Sequence, residues 1–308
     1  FTGSKEHNII LRRIAIKKGW KLSEYGLFEN KTGKQIAGAT EEEVYKKLGL
    51  EYIEPEMRED QGEIEAALKG NFPTPIPYGS LKGDLQIQTD WTDGKNSILE
   101  MAKEAKKQGL EYIAITDHTK DLAMTGGSDE KKLMAQMVEI DKVNKSLSGI
   151  KVLKGAEVNI RKDGTLDITD EVLSKLDVVG ASVHSSFKMS KKDMTERIVR
   201  AMRNPNVDIL FHPTGRSMPK RDEYDLNLDT VITEAKKTGT ILEINAQPRR
   251  LDLKDIYIRK TKEAGVRMVI DSDAHNTEHL KFLKYGIAQA RRGWAEAKDI
   301  LNTLPLEK

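Results

Sequence analysis

Short β-rich runs alternate with longer helical segments from Gly83 onward, and this alternation constrains the fold more than any other feature. Helical segments such as "SILEMAKEAKKQGL" have apolar residues at a spacing of three or four and end at glycine. The seven β-rich runs are "DLQIQ", "YIAITDH", "KVLKGAEVNI", "DVVGASVH", "VDILFHP", "TILEINAQ" and "RMVIDSDAH". Strands that alternate with helices pair in parallel, and this many units favour a closed barrel over an open sheet. We therefore predict an α/β fold with a seven-stranded barrel.

The first seventy or so residues have a different character, which is typical of a small α+β domain. "KEHNIILRRIAIKKGW" and "TEEEVYKKLGL" predict helices, the second with Thr40 as its N-cap, Glu43 closing a capping box and Gly49 at its end. "WKLSEYGLF" and "ENKTGKQIAG" predict two strands joined by a turn at residues 31–33. The prolines of "GNFPTPIPYGS" favour an extended chain. We expect a small domain over residues 1–70, a linker over 71–82 and the barrel over 83–308.

The composition limits the kinds of site that the chain can build. The 308 residues include no cysteine, so disulfides and thiolate metal sites are excluded and any metal needs histidine, carboxylate or amide ligands. The formal net charge of +2 does not indicate a strongly basic nucleic-acid-binding domain. No apolar run has the length of a membrane span, and the N-terminus lacks the pattern of a signal peptide. We expect a cytoplasmic protein without a membrane partner.

Polar residues that can bind a metal stand at the ends of the predicted strands. They are His118, His184, His212 and His275, together with Gln86, Gln88, Glu157, Asn245 and Asp273. Because the carboxyl ends of barrel strands converge on one face, we expect these side chains to meet in one pocket. Histidine and carboxylate without cysteine is a ligand set for Zn, Mn or Fe. The pattern predicts a hydrolytic centre with more than one metal ion.

Each residue also has a simpler interpretation. His118 could be a hydrogen-bonded structural residue, and Glu157 could be the partner of an ion pair. The sequence "DSD" at residues 271–273 could be a helix cap or a metal pair. The metal interpretation is favoured because four histidines would otherwise have to fall on strand ends by chance. His7 and His279 lie outside this pattern, and we expect them to be surface or structural residues.

The order of the motifs resembles a known family. "GDLQIQTDWTDG", "AITDHT", "GAEVNI", "ASVHSSF", "LFHPTGR", "LEINAQPRRLDL" and "IDSDAH" resemble the PHP (polymerase and histidinol phosphatase) domain. More narrowly, they are similar to the PHP domain at the C-terminus of bacterial and archaeal family X DNA polymerases. "FTGSKEHNIILRRIAIKKGWKLSEYGLF" and "AGATEEEVYKKLGLEYIEPEMRED" resemble the thumb of such a polymerase.

The resemblance implies a distorted (β/α)7 barrel with up to three divalent metals, of which Mn or Zn is expected and Mg is an alternative. One metal would take Asp93, His118 and His275; a second would take Glu157, His184 and His212; a third would take Gln86, Gln88, Glu157 and Asp273. Glu157, Asp273 and His118 are the implied catalytic residues. The family has His-x-His where this chain has Gln86 and Gln88, and an amide oxygen is a weaker ligand than imidazole for such metals. We therefore expect one weakened or vacant metal position.

The implied reaction is phosphoester hydrolysis, in this branch a 3′–5′ exonuclease on DNA that serves DNA repair. The implied partners are DNA 3′ ends and the palm and fingers of a polymerase. Because the catalytic aspartates of the family lie upstream of "FTGS", we expect no polymerase activity from this stretch. The residues expected to contact DNA or its phosphates are Arg216, Arg249, Arg250, Arg12, Arg13, Lys17 and Lys18, and Phe1 and Thr2 would lie near the nucleotide. Surface salt bridges and an ordinary solvated basic helix are the alternatives.

A second hypothesis belongs to another class of function. Without the histidine pair, the barrel would be a catalytically impaired module that organises a polymerase or binds DNA. The counterargument is that every other ligand position survives, whereas a barrel free of chemical constraint would lose more of them. A further alternative is that one or both glutamines are engineered.

Overall fold

The computed structural model describes residues 1–307, and Lys308 of the predicted barrel lies outside the described part. The chain forms two compact units, and the boundary between them falls at Pro75 and Ile76, within the predicted linker. The short segment Arg291–Glu296 groups with the first unit rather than with the barrel. Within the described residues, the helices are too short or too polar to cross a bilayer.

The first unit consists of three helices and a three-stranded antiparallel sheet in the order β1-β2-β3. Its elements are α1 (Lys5–Lys17), β1 (Trp20–Ser23), β2 (Gly26–Glu29), β3 (Gln35–Ala37), α2 (Glu41–Leu48) and α3 (Glu63–Lys69). The prediction of two strands was wrong because "WKLSEYGLF" turns back on itself. Gly26 has φ 130°, a backbone conformation that other residues rarely adopt, and it opens β2 directly after the extra turn.

The second helix begins and ends as predicted, but its capping box differs. The Thr40 hydroxyl accepts a hydrogen bond from the Glu43 N–H at 3.3 Å, and Gly49 ends the helix in the left-handed conformation. The Glu43 carboxylate accepts from the N–H of Ala39 at 3.1 Å, one residue before the cap. The box therefore closes around the preceding peptide rather than around Thr40.

A buried polar network holds the helices of the first unit together. His7 is fully buried, which excludes the surface interpretation, and its ring bonds Glu63 through Nδ1 at 2.6 Å and Tyr45 through Nε2 at 2.8 Å. Glu63 also accepts the N–H groups of Asp60 at 2.8 Å and Gln61 at 2.7 Å. Burial opposes ionisation of Glu63, but these hydrogen bonds outweigh it and lower its pKa.

The barrel consists of seven parallel strands whose spatial order follows the chain, and the predicted α/β barrel is confirmed. The strands are β4 (Gly83–Ile87), β5 (Tyr112–Ile115), β6 (Lys151–Asn159), β7 (Val178–Ser182), β8 (Ile209–Leu210), β9 (Ile241–Asn245) and β10 (Met268–Asp271). The helices are α4 (Ile98–Lys107), α5 (Glu130–Ser146), α6 (Asp170–Leu173), α7 (Lys191–Met202), α8 (Leu228–Thr238), α9 (Asp255–Glu263) and α10 (Leu283–Arg292). A bridge between Ile87 and Ala274 brings the first strand against the last.

Side chains close the seam between β4 and β10. The Asp271 carboxylate accepts the N–H of Leu85 at 2.7 Å, and Asp84 accepts the N–H and hydroxyl of Ser272 at 3.1 and 2.5 Å. The Asn302 amide donates to the carbonyls of β4 and β10 at 2.7 and 2.6 Å. Asp271 of "DSD" therefore does not cap a helix but holds the two edge strands together.

Inside the barrel, two aromatic rings cover glycines of neighbouring strands. A Cβ built on Gly83 would lie 2.0 Å from the ring of Tyr112, and one on Gly180 would lie 1.8 Å from the ring of Phe211. Both rings belong to the buried apolar cluster at the centre of the barrel. These two positions need glycine because the aromatic side chains occupy the space that a Cβ would take.

The Glu63 network predicts a pH dependence. Because the pKa of Glu63 is lower in the folded unit than the ordinary value of 4.5, its contribution to the free energy of unfolding is complete above that pH and is lost as the pH falls further. Thermal unfolding of a Trp91→Phe variant, whose remaining fluorescence reports Trp20 and Trp294 of the first unit, measures this loss. Glu63→Gln should flatten the dependence; equal slopes in both proteins would contradict the assignment.

The barrel packing predicts that Gly180→Ala is destabilising. The added methyl group meets the Phe211 ring, and overpacking of this kind costs about 1–3 kcal/mol of unfolding free energy. Urea unfolding measures the loss. Phe211→Leu in the same chain should recover part of it, because the shorter side chain leaves room for the methyl group; additive effects of the two substitutions would show that they do not meet.

Candidate metal centre

The strand ends bring the predicted metal ligands into one pocket at the mouth of the barrel. Gln86 lies on β4 and Glu157 on β6. The other ligands follow their strands by one to four residues, except for Asp93, which lies in the turn after β4. His212 and Asp273 have positive φ values of 31° and 53°, which L residues rarely adopt. The backbone is thus bent where these side chains enter the pocket.

Glu157 is the centre of the cluster and is fully buried. Its Oε1 lies 2.8 Å from Nε2 of His212 and 3.1 Å from Nε2 of His184. Its Oε2 lies 3.6 Å from Nδ1 of His118. Burial opposes ionisation of Glu157, but the charge of His118 and the hydrogen bonds of the other two histidines hold its pKa well below the ordinary range.

A second group shares His118 with the first. Nε2 of His118 lies 3.8 Å from Oδ2 of Asp93, and Nε2 of His275 lies 3.5 Å from the same oxygen. Burial lowers the pKa of His275, but its hydrogen bond to Asp93 and the charge of Asp273 outweigh this and raise the pKa to about 9. Burial likewise opposes the charge on Asp93, but its histidine partners lower its pKa.

The Gln86 and Gln88 amides occupy the third position. Their Nε2 atoms donate to Oε2 of Glu157 at 3.0 and 2.8 Å. Asn245 donates through Nδ2 to Oε1 of Gln86 at 3.1 Å and to Oδ2 of Asp273 at 3.2 Å. Asn245 therefore hydrogen-bonds to two of the predicted ligands.

Three buried residues that sequence reasoning missed support the ligands. Oδ1 of Asn159 lies 2.7 Å from Nδ1 of His184, and Glu243 accepts the N–H of His212 at 2.5 Å. Asp117 accepts the hydroxyls of Thr89 and Thr92, in the turn that carries Asp93. Asp117 precedes His118 in "TDH", and Glu243 lies two residues before Asn245 on the same face of β9. Their positions beside predicted ligands are the only signal that the sequence offers.

The predicted basic residues divide into two groups. Arg249 is exposed, whereas Arg250 turns into the pocket and places Nε 3.2 Å from Oδ2 of Asp273. Arg216 donates from Nε to the Arg250 carbonyl at 2.8 Å and from Nη2 to the Leu251 carbonyl. Its guanidinium is therefore engaged with the loop after β9.

In the first unit, the predicted basic residues are all exposed, on α1 or directly after it: Arg12, Arg13, Lys17 and Lys18. The Arg12 guanidinium lies over the Phe1 ring, 4.6 Å from its centroid. The Thr2 hydroxyl contacts Arg58 and Glu41.

In the barrel, His279 lies beside the pocket, and its Nδ1 accepts the N–H of His275 at 3.3 Å, so it is a structural neighbour of a predicted ligand.

The donor atoms fit divalent metals. Asp93, His118 and His275 place one donor each within 4.8 Å of one another, and so do His118, Glu157 and His184. Nδ1 of His118 and Oε1 of Gln88 are buried and have no hydrogen-bond partner among the described residues. Imidazole nitrogens and carboxylate oxygens without thiolate suit Zn or Mn.

Comparison with known proteins agrees with both units. Residues 1–59 match the DNA polymerase beta thumb, and residues 84–304 match the PHP domain. The chain is 43% identical over 307 residues to the DNA polymerase/3′-5′ exonuclease PolX of Bacillus subtilis, covering 100% of this chain and 54% of that protein. The chain thus spans about half the length of this relative.

Two further relatives resemble the barrel. The chain is 34% identical over 190 residues to the Probable phosphatase TTE1963 of Caldanaerobacter subterraneus, covering 58% of this chain and 70% of that protein. The crystal structure of a candidate histidinol phosphatase, hisK, from Listeria monocytogenes has the same fold, with a TM-score of 0.51, 14% identity and coverage of 65% of this chain and 97% of the other. The thumb followed by the barrel confirms the resemblance to the C-terminal part of a family X DNA polymerase. The chain belongs to the PHP domain family and carries a DNA polymerase beta thumb ahead of that domain.

Proposed function

We propose that the barrel is a divalent-metal-dependent phosphoesterase that removes nucleotides from DNA 3′ ends in DNA repair. The observation that carries this proposal is the convergence of three histidines on the buried Glu157 carboxylate, at the open end of a PHP barrel. The exonuclease named for the Bacillus subtilis relative supports the choice of DNA as substrate. The cytoplasm of a prokaryote is the corresponding location.

Two ligand groups follow from the contacts. Asp93, His118 and His275 would hold one Mn or Zn ion, and Glu157, His184 and His212 a second, with Mg as an alternative. Bound divalent ions lower the pKa of water and neutralise a phosphate in such centres. Glu157 stays ionised, since its pKa is held low. Its Oε2 lies 3.6 Å from Nδ1 of His118, a ligand of the first group, so the Glu157 carboxylate can serve both groups.

The remaining residues bind and orient the substrate in this proposal. Arg249 is exposed beside the pocket and would contact DNA phosphates, and Arg250 offers a buried Nη1 without a partner among the described residues. Asp273 orients both Arg250 and His275. DNA 3′ ends and the palm and fingers of a polymerase are the proposed partners.

The proposal predicts that Glu157→Gln abolishes cleavage and lowers the content of bound metal, because the ion at Glu157, His184 and His212 loses its carboxylate. Loss of the central carboxylate should reduce metal affinity and activity by more than the roughly 10–100-fold that follows loss of a residue outside the ligand shell. Incubation with Mn²⁺ and a 3′-labelled single strand measures release of the labelled nucleotide, and elemental analysis measures bound metal. Equal metal content and equal release in parent and variant would contradict the enzyme assignment.

The second candidate function is a catalytically impaired module that organises a polymerase or binds DNA. The observation that favours it is that both Gln86 and Gln88 donate amide hydrogens to Glu157, where the family has imidazoles. Metal bound without nucleotide release, together with DNA affinity that does not depend on metal, would favour this function over hydrolysis.

The basic residues of α1 predict a salt-dependent DNA affinity. Arg13 and Lys17 are four residues apart and exposed, so they lie on one face of the helix. Replacing both with glutamine should reduce the slope of log affinity against log salt by about 1.4–1.8, since each phosphate contact contributes about 0.7–0.9. Fluorescence anisotropy with a labelled gapped duplex measures the slope. Lys21→Gln with Lys34→Gln is the matched control; equal slopes in all three proteins would contradict a DNA-facing α1.

A further inference from the structure

Hydrogen bonds within the chain engage both ends of the Gln86 amide, one of the two amides at the third ligand position. Gln86 could hold an ion only through Oε1, and that oxygen already accepts from Nδ2 of Asn245 at 3.1 Å. Oδ1 of Asn245 accepts the N–H of Gln247 at 3.0 Å, which fixes the orientation of the Asn245 amide. Nε2 of Gln86 must then face the Glu157 carboxylate, as it does at 3.0 Å. An ion at this position would have to break this chain of bonds.

A cation from the chain engages the remaining ligand. Oδ2 of Asp273 lies 3.2 Å from Nε of Arg250 and 3.2 Å from Nδ2 of Asn245, and Oδ1 lies 3.7 Å from Nδ1 of His275. Both oxygens of this carboxylate therefore have partners. A guanidinium does not lose its proton in proteins, so the position carries a permanent positive charge.

The loop after β9 is built to hold this arginine in the pocket. Arg216 donates to the backbone carbonyls of Arg250 and Leu251, so the loop cannot swing away without breaking both bonds. The Arg250 side chain is only 21% exposed. It faces acidic groups on several strands, with Glu157 and Glu243 close enough to act on its charge in addition to Asp273.

We propose that the Arg250 guanidinium takes the place of a third metal ion, so that the centre holds two divalent ions rather than three. This inference rests on the proposed function, since it requires metal at the other two positions. An ion bound to Asp273 at about 2 Å would share that carboxylate with the guanidinium, and like charges repel strongly in a buried site. Gln86 and Gln88 stand where imidazoles would be the strongest ligands of a third ion. Arg250 supplies the positive charge that balances the carboxylates of Asp273 and Glu157.

Counting bound Mn²⁺ in the whole protein tests the proposal. After chelation, Mn²⁺ is returned by equilibrium dialysis and counted by elemental analysis, with electron paramagnetic resonance reporting coupled ions. We expect two ions in the parent protein and two in Gln86→His/Gln88→His, because the arginine still repels the third. Adding Arg250→Met to the two histidines should allow a third ion, bound at least about tenfold more tightly than in the double variant. Arg250→Lys in the same background keeps the charge and should keep two ions.

The outcomes separate this inference from the proposed function. Three ions in the parent protein, three in the double variant, or two in the triple variant with methionine would each overturn the role of Arg250 while leaving a metal centre in place. No bound Mn²⁺ in the parent, or the same content as in Glu157→Gln, would overturn the metal centre itself. Circular dichroism of each variant verifies that the barrel is folded.

Discussion

The buried carboxylate of Glu157 is the interaction on which the pocket depends. A charge without access to water is costly, so the surrounding strands must deliver donors to it. Gln86 and Gln88 come from the first strand, and His184 and His212 come from the fourth and fifth. Donors from distant parts of the chain can reach the two oxygens of this carboxylate only if the barrel is closed and the register of its strands is kept.

Closure of the barrel depends on side chains as well as on the backbone hydrogen bonds between strands. Asp84 and Asp271 each accept a backbone N–H across the seam between the first and last strands, and Asn302 joins the carbonyls on both sides. The same two strands carry Gln86 and lead to Asp273. The residues that close the barrel thus also set the separation of the side chains at the third position.

Negative charge in the pocket is balanced in three ways. The charge of His118 and the hydrogen bonds of His184 and His212 hold Glu157 ionised, and Arg250 neutralises Asp273. Burial, together with the charge of Asp271, raises the pKa of Glu243 well above its ordinary value and so disfavours a further negative charge in the pocket. Divalent cations bound here would add to this balance rather than create it, because Arg250 already places a positive charge in the pocket.

The sequence by itself determined the elements and the ligand types. Alternating β-rich and helical periods predicted all seven barrel strands, and histidines at strand ends predicted one polar pocket, because periodicity and strand-end position are local properties. The extra turn before Gly26 was missed, since it depends on one glycine backbone angle. Only the tertiary structure decided that His118 lies between two ligand groups, that Asp271 closes the barrel and that Arg250 faces Asp273. These are contacts between residues far apart in the chain, and their geometry follows from barrel closure, which no local pattern records.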